Sequence, residues 1–143
     1  MSTIRSFLRS GAIVSILALA LVLAACTSGG DGGGASGEAG CPGTGTATVE
    51  NGEARICADD LEFDATTIEA PAGEAFTITF TNAESQPHNV AIYTEEGGDL
   101  IVDGDVITGP NVTTQIAVDA LDPGTYYFRC DVHPEMEGEL VVG

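Results

Sequence analysis

The chain has 143 residues, of which 22 are acidic and 4 are basic, and its formal net charge is −18 at pH 7. This charge argues against nucleic acid or anionic lipid as a binding partner and favours a basic protein partner. Salt adaptation of an exported protein would explain the same composition. At this length we expect one folded domain.

The N-terminus has the pattern of an export signal. Two arginines precede an unbroken apolar or small-residue run from Gly11 to Ala25, which is shorter than the roughly 20 residues of a membrane-spanning helix. The run ends in Leu23-Ala24-Ala25-Cys26, which resembles a bacterial lipobox and implies cleavage before Cys26 and lipidation of its thiol. The alternative is an ordinary signal peptide in which Cys26 is incidental.

These features divide the chain into three parts. Residues 1–25 form the predicted signal peptide, and residues 26–40 form the lipidated cysteine and a tether. The tether is half glycine after Cys26 and has no apolar side chain larger than alanine, so we expect it to be flexible. Residues 41–143 form the predicted domain, and the processed chain has a formal charge of −20, with Arg55 and Arg129 its only basic side chains.

Two further cysteines, Cys41 and Cys57, are candidates for a disulfide. Outside the cytoplasm an unassigned pair of cysteines usually becomes bonded. A loop of this length would contribute about 3 kcal/mol in the chain-entropy model. The alternative is two free thiols.

The domain is predicted to be all-β. Asn51-Gly52 is a strong hairpin signal between predicted strands at Thr46–Glu50 and Glu53–Cys57. Ala75 to Thr81 alternates apolar and threonine side chains, as a half-buried strand does. Further predicted strands are His88 to Ile92 with its even-numbered side chains inward, Val112–Val118, Thr125–Cys130 and Glu139–Val142.

No helical periodicity is present in this region, and seven or eight short strands at this spacing predict a β-sandwich. The acidic run from Thr94 to Asp105 has two interpretations. It is either a docking patch for a basic redox partner or simply a solvated loop or hairpin.

Four side chains form a candidate metal site. Cys130, His133 and Met136 follow one another at three-residue steps, and His88 is the chain's other histidine. Two imidazoles, a thiolate and a weak axial thioether are the ligand set of blue-copper sites. Taken singly, each has a structural alternative, such as a buried thiol or a methionine that fills a gap in the core. Together, at this spacing, they favour a metal site.

The sequence resembles the cupredoxins, the group that includes plastocyanin, azurin and amicyanin. The resemblance covers about residues 53–143 and is carried by Cys130-x-x-His133-x-x-Met136, by Tyr126-x-Phe128-x-Cys130 and by Pro87-His88-Asn89. The short ligand loop is most similar to that of amicyanin.

This resemblance implies a Greek-key sandwich that holds one copper ion at one end. His88 and His133 would bind through Nδ1, Cys130 through sulfur and Met136 axially. Asn89 would tie the strand of the first ligand to the ligand loop by hydrogen bonds, and contacts of this kind orient metal ligands.

Two residues depart from the family pattern. Asp131 follows the ligand cysteine, and a carboxylate there would lower the reduction potential if it pointed inward. Arg129 stands where plastocyanin has a surface tyrosine, which favours electron transfer through the exposed edge of His133.

The resulting hypothesis is an extracytoplasmic blue-copper protein that transfers single electrons between redox partners. It would be a monomer held by its lipid anchor at the outer face of the cytoplasmic membrane or in the periplasm. We expect no enzymatic activity, because four ligands leave no open position for substrate. The alternatives are copper sequestration or delivery, and an adhesion-like sandwich that has lost its metal.

Overall fold

The computed structural model describes residues 41–43 and 45–143, so the predicted signal peptide, Cys26 and the tether lie outside the described residues. The described part contains strands and no helix, and therefore no helix there could span a membrane. The strands are β1 (Gly45–Thr48), β2 (Glu53–Asp59), β3 (Glu62–Phe63), β4 (Ala65–Ala70), β5 (Phe76–Asn82), β6 (Pro87–His88), β7 (Ala91–Tyr93), β8 (Leu100–Asp103), β9 (Ile107–Thr108), β10 (Val112–Val118), β11 (Gly124–Arg129) and β12 (Glu137–Val142).

Two sheets enclose the core. The larger has the strand order β1-β4-β12-β11-β7-β8 and the smaller β10-β5-β2-β3, while β6 and β9 form a separate short pair. Phe63 of the smaller sheet lies between Phe80 of its own sheet and Phe128 of the larger one, with ring centroids 6.1 and 5.7 Å apart. The predicted all-β sandwich is therefore confirmed.

The alternation predicted for β5 is also confirmed. Phe76, Ile78 and Phe80 are buried, whereas the threonines between them are half-buried. β5 lies inside its sheet, hydrogen-bonded to β10 on one side and to β2 on the other. Strict alternation follows because one face of the strand packs on the core while the other faces outward.

The hairpin predicted at Asn51-Gly52 is only partly right. The turn is present, with positive φ angles of 53° and 82° and two hydrogen bonds exchanged between Glu50 and Glu53. Beyond that bridge the strands separate, because β1 pairs with β4 in the larger sheet and β2 pairs with β5 in the smaller one. A turn signal reports local backbone preference, whereas packing of the two apolar faces decides which sheet each strand joins.

The continuous strand predicted through His88 is wrong. β6 ends at His88 and pairs with β9, whereas β7 starts at Ala91 and pairs with β11 and β8. All five residues from 88 to 92 are buried, including Asn89 and Ala91. Alternation fails here because the chain passes from one sheet to another and is covered on both sides.

The structure has more strands than the seven or eight predicted. The additional ones include the two-residue strands and β4, where Ala65, Ile68 and Ala70 are buried at uneven steps. The acidic run contains β8 and the residues 94–99 before it, which connect β7 to β8 in an antiparallel hairpin. Cys41 and Cys57 are joined by a disulfide in the structure.

Candidate metal centre

His88 is held in the interior by its strand pairing. β6 and β9 bring His88 opposite Ile107, and the imidazole is completely buried. A buried imidazole needs partners for both ring nitrogens, and here the two nitrogens face different groups. Nδ1 faces Cys130 and His133, whereas Nε2 faces the carboxylate of Glu84.

The other predicted ligands lie on the short loop that joins β11 to β12. The loop is closed by two backbone hydrogen bonds, from Cys130 N to Met136 O and from Met136 N to His133 O, each 2.9 Å. Cys130 and Met136 are buried in the core cluster, whereas His133 is half-buried. The loop therefore presents its thiol to the interior and one imidazole toward the surface.

Three donor atoms converge at one point. The Nδ1 atoms of His88 and His133 are 3.2 Å apart, and Sγ of Cys130 lies 3.7 and 4.0 Å from them. With metal bonds of about 2.0 Å to nitrogen and about 2.3 Å to sulfur, a trigonal plane would place its donors about 3.5–3.7 Å apart. The observed separations are close to these values, so the three side chains fit a single ion.

The chemistry of this donor set fits copper. A thiolate is a soft ligand, an imidazole is a borderline one, and a trigonal His₂Cys arrangement is the geometry of blue-copper sites. In the described part of the chain this is the one cluster of three or more histidine, cysteine or carboxylate donors arranged to hold an ion. Met136 is buried in the same core cluster as Cys130, and its axial role remains a prediction.

Glu84 is a residue of the site that the sequence did not reveal. Its Oε1 lies 2.9 Å from Nε2 of His88. Burial lowers the pKa of His88 below its ordinary 6.5, and the nearby carboxylate opposes that shift only in part. A carboxylate partner is expected for a metal-binding histidine, yet nothing in the sequence distinguishes Glu84 among 22 acidic residues.

Asn89 connects the first-ligand segment, Pro87-His88-Asn89, to the ligand loop between β11 and β12. Its Oδ1 accepts a 2.8 Å hydrogen bond from Asp131 N, and its Nδ2 donates to Gly104 O at 3.1 Å and to the Asp131 carboxylate at 3.4 Å. The side chain is 1% exposed. These bonds hold Asp131, and therefore the neighbouring Cys130, at a fixed distance from His88.

The carboxylate of Asp131 does not point toward the thiol. Its Oδ1 accepts hydrogen bonds from Tyr93 Oη at 2.6 Å and from Arg129 Nε at 3.0 Å. Burial alone would raise the pKa of Asp131, but the bonds from Tyr93, Asn89 and Arg129 outweigh it and lower that pKa. The condition for a lowered reduction potential, an inward carboxylate, is therefore not met.

Arg129 lies over an aromatic ring supplied by another strand. Its guanidinium carbon is 4.9 Å from the ring centroid of Tyr93 in β7, within the range of a cation–π interaction. An aromatic ring therefore lies beside the position just before Cys130, and the guanidinium of Arg129 covers it.

The sequence profile of the cupredoxin-like domain family matches residues 15–142. The chain is a member of the cupredoxin family. This confirms the family resemblance seen in the sequence, and the all-β sandwich agrees with it.

Known cupredoxins are similar in sequence. Auracyanin-A of Chloroflexus aurantiacus is 32% identical in an alignment that covers 94% of this chain and 97% of that protein. Amicyanin-alpha of Methylorubrum extorquens is 35% identical over 57% of this chain. That alignment spans 65% of amicyanin-alpha, slightly less than two thirds of its length.

Solved cupredoxin structures are similar in fold. Auracyanin A from Chloroflexus aurantiacus, described as a "blue" copper protein, superposes with a TM-score of 0.56 and 26% identity over 69% of this cupredoxin and all of that chain. Reduced auracyanin from Roseiflexus castenholzii gives a TM-score of 0.54 and 25% identity over 62% of this chain and 94% of the other.

Proposed function

We propose that this cupredoxin is a mononuclear blue-copper protein that carries single electrons between redox partners outside the cytoplasm. The observation that carries the proposal is the convergence of His88, Cys130 and His133, whose donor atoms all lie within 4.8 Å of one another. The similarity to a solved blue-copper protein supports the same metal. Met136 is the proposed axial ligand.

Each residue has a distinct part in this role. Bound copper would supply reversible one-electron chemistry between its cupric and cuprous states. Cys130 and His88 are fully buried and would hold the ion away from water. His133 is the half-buried ligand, so the edge of its ring is the proposed exit for the electron. Four ligands leave no place for a substrate, which favours a carrier over an enzyme.

The cellular setting is proposed from the sequence. A signal peptide over residues 1–25, a lipid on Cys26 and the glycine-rich tether would hold a monomeric domain near the outer face of the membrane. With a formal charge of −18 for the whole chain, the protein would favour a redox partner with a basic docking surface.

The test uses the purified protein loaded with copper(II). Charge transfer from thiolate to copper(II) should give intense visible absorption, which Cys130→Ser should abolish. Replacing Met136 with leucine should shift the reduction potential and leave most of the colour, because the axial bond is weak. A colourless copper-loaded protein would overturn the proposal.

A second measurement separates the carrier from a copper-delivery protein. A carrier should retain its copper against a competing chelator through repeated cycles of oxidation and reduction. Rapid loss of copper from a coloured protein would instead favour delivery or sequestration.

A further inference from the structure

A two-residue turn joins β2 to β3, where Asp59 pairs with Glu62. The turn residues Asp60 and Leu61 both have positive φ angles, 52° and 60°, as both central residues of a type I′ hairpin turn do. The side chain of Leu61 is 41% exposed, but its backbone amide has a partner outside the hairpin, the carboxylate of Glu84.

The turn places a backbone donor against Glu84, the carboxylate that contacts His88. The amide of Leu61 donates a 2.8 Å hydrogen bond to Oε1 of Glu84. The same oxygen lies 2.9 Å from Nε2 of His88. One carboxylate oxygen therefore joins a turn at the end of the smaller sheet to the buried imidazole.

The loop that carries Glu84 is fixed independently. Asn82 is completely buried and accepts a 3.0 Å hydrogen bond from Glu84 N. Its amide donates to Gln86 O and Ile107 O, at 2.6 and 3.0 Å. A side chain at Gly109 would come within 2.5 Å of Glu84 O. The loop has little room to move. Glu84 is therefore held through its backbone by Asn82 and through its carboxylate by the amide of Leu61.

We propose that the Asp60–Leu61 turn is a positioning device for His88 and acts through Glu84. The proposal rests on the proposed function in one respect, that His88 is a metal ligand. The carboxylate oxygen accepts a hydrogen bond from Nε2–H, so the proton of the neutral imidazole stays on Nε2 and Nδ1 faces Cys130 and His133 without one. The amide of Leu61 fixes that oxygen, so the imidazole is oriented before any metal arrives.

The first experiment uses the metal-free protein, so it does not depend on copper binding. Nitrogen-15 NMR should show His88 as a single tautomer with its proton on Nε2. Glu84→Leu should produce a mixture of tautomers, whereas Glu84→Gln, which keeps an oxygen acceptor, should preserve the single tautomer. Amide hydrogen exchange at Leu61 should accelerate at least about tenfold in Glu84→Leu, as expected for loss of one hydrogen bond.

Glu62→Leu is the matched control, because Glu62 is an exposed acid in the strand that follows the same turn and its replacement changes the charge equally. It should leave the tautomer and the exchange rate unchanged. The positioning role would be overturned if Glu84→Leu behaved like this control.

The second readout is copper affinity. Groups that orient a ligating histidine typically contribute about 10- to 100-fold in metal affinity, so Glu84→Leu should weaken binding by that factor and Glu62→Leu should not. Unchanged affinity in Glu84→Leu would count against the proposal. A wild-type protein that bound no copper would overturn the proposed function instead, while the tautomer of His88 and the exchange of the Leu61 amide would still decide whether Glu84 and the turn hold that imidazole.

Discussion

At the scale of single residues, buried polar side chains organise the metal centre. In the described part of the chain the buried polar residues are Asn82, His88 and Asn89, and all three lie in or beside the first-ligand segment. Each is satisfied by hydrogen bonds, since none of the described buried side-chain nitrogen or oxygen atoms lacks a partner. Buried polar groups are costly unless paired, so their pairing specifies one arrangement of the ligands.

Replacing Asn89 with alanine should destabilise the domain by about 1–3 kcal/mol, because it removes the partner of the buried Gly104 carbonyl and of the part-buried Asp131 amide. Urea denaturation of the metal-free protein measures this change. Gln115→Ala, at an exposed position of β10, should change stability much less. Equal effects of the two substitutions would show that Asn89 does not hold the loop in place.

The stability of the metal-free protein should depend on pH through His88. Burial lowers the pKa of His88 in the folded state, so the unfolded chain takes up a proton first as pH falls. Stability should therefore decrease below pH 6.5, the ordinary value of the group, until the folded imidazole also becomes protonated. Comparison with His88→Gln by denaturation between about pH 5 and 8 isolates this effect, and parallel profiles would contradict it.

At the scale of elements, the pairing of β11 with β12 fixes the two ends of the ligand loop. Phe128 lies opposite Gly138, and Arg129 lies opposite Glu137, so the loop leaves and re-enters the sheet between paired residues. β12 also pairs with β4 on its other side. The loop therefore starts and ends on strands that are hydrogen-bonded to neighbours in the same sheet.

Gly138→Ala should disturb this arrangement. A Cβ atom there would lie 2.4 Å from Thr66 O and 2.5 Å from the ring of Phe128, and such overpacking costs about 1–3 kcal/mol. Thermal or urea denaturation measures the loss. Gly124→Ala in the same strand pair is the control, because its nearest neighbour would be at 3.8 Å; a comparable loss there would refute the steric explanation.

At the scale of the whole molecule, a covalent link secures the start of the domain. The disulfide joins Cys41, before β1 of the larger sheet, to Cys57 in β2 of the smaller one. The two cysteines are separated by 16 positions. The link thus restrains the first strand of one sheet against the other sheet.

Replacing both cysteines with serine should lower the free energy of unfolding by about 3 kcal/mol, the chain-entropy value for a loop of this size. Urea denaturation measures the loss, and the wild-type protein under reducing conditions should show a similar decrease. The copper colour should persist in the folded double variant, because neither cysteine belongs to the metal cluster. Unchanged stability would mean that the link does not restrain the unfolded chain.

The sequence alone was sufficient for features that depend on local spacing. The alternation in β5 is local, and so is the Cys130-x-x-His133-x-x-Met136 step pattern that identifies a short ligand loop. The family resemblance also followed from such motifs. These succeed because periodicity and loop length act over a few residues.

Tertiary structure decided what depends on distant parts of the chain. It placed His88 against Cys130, 42 positions away, and separated β1 and β2 into different sheets after a correctly predicted turn. It also brought the carboxylate of Asp131 against Tyr93 and the carboxylate of Glu84, one of many acids, against His88. Local sequence does not distinguish Asp131 and Glu84 from the other acidic residues, because the packing of the two sheets determines which carboxylate reaches which partner.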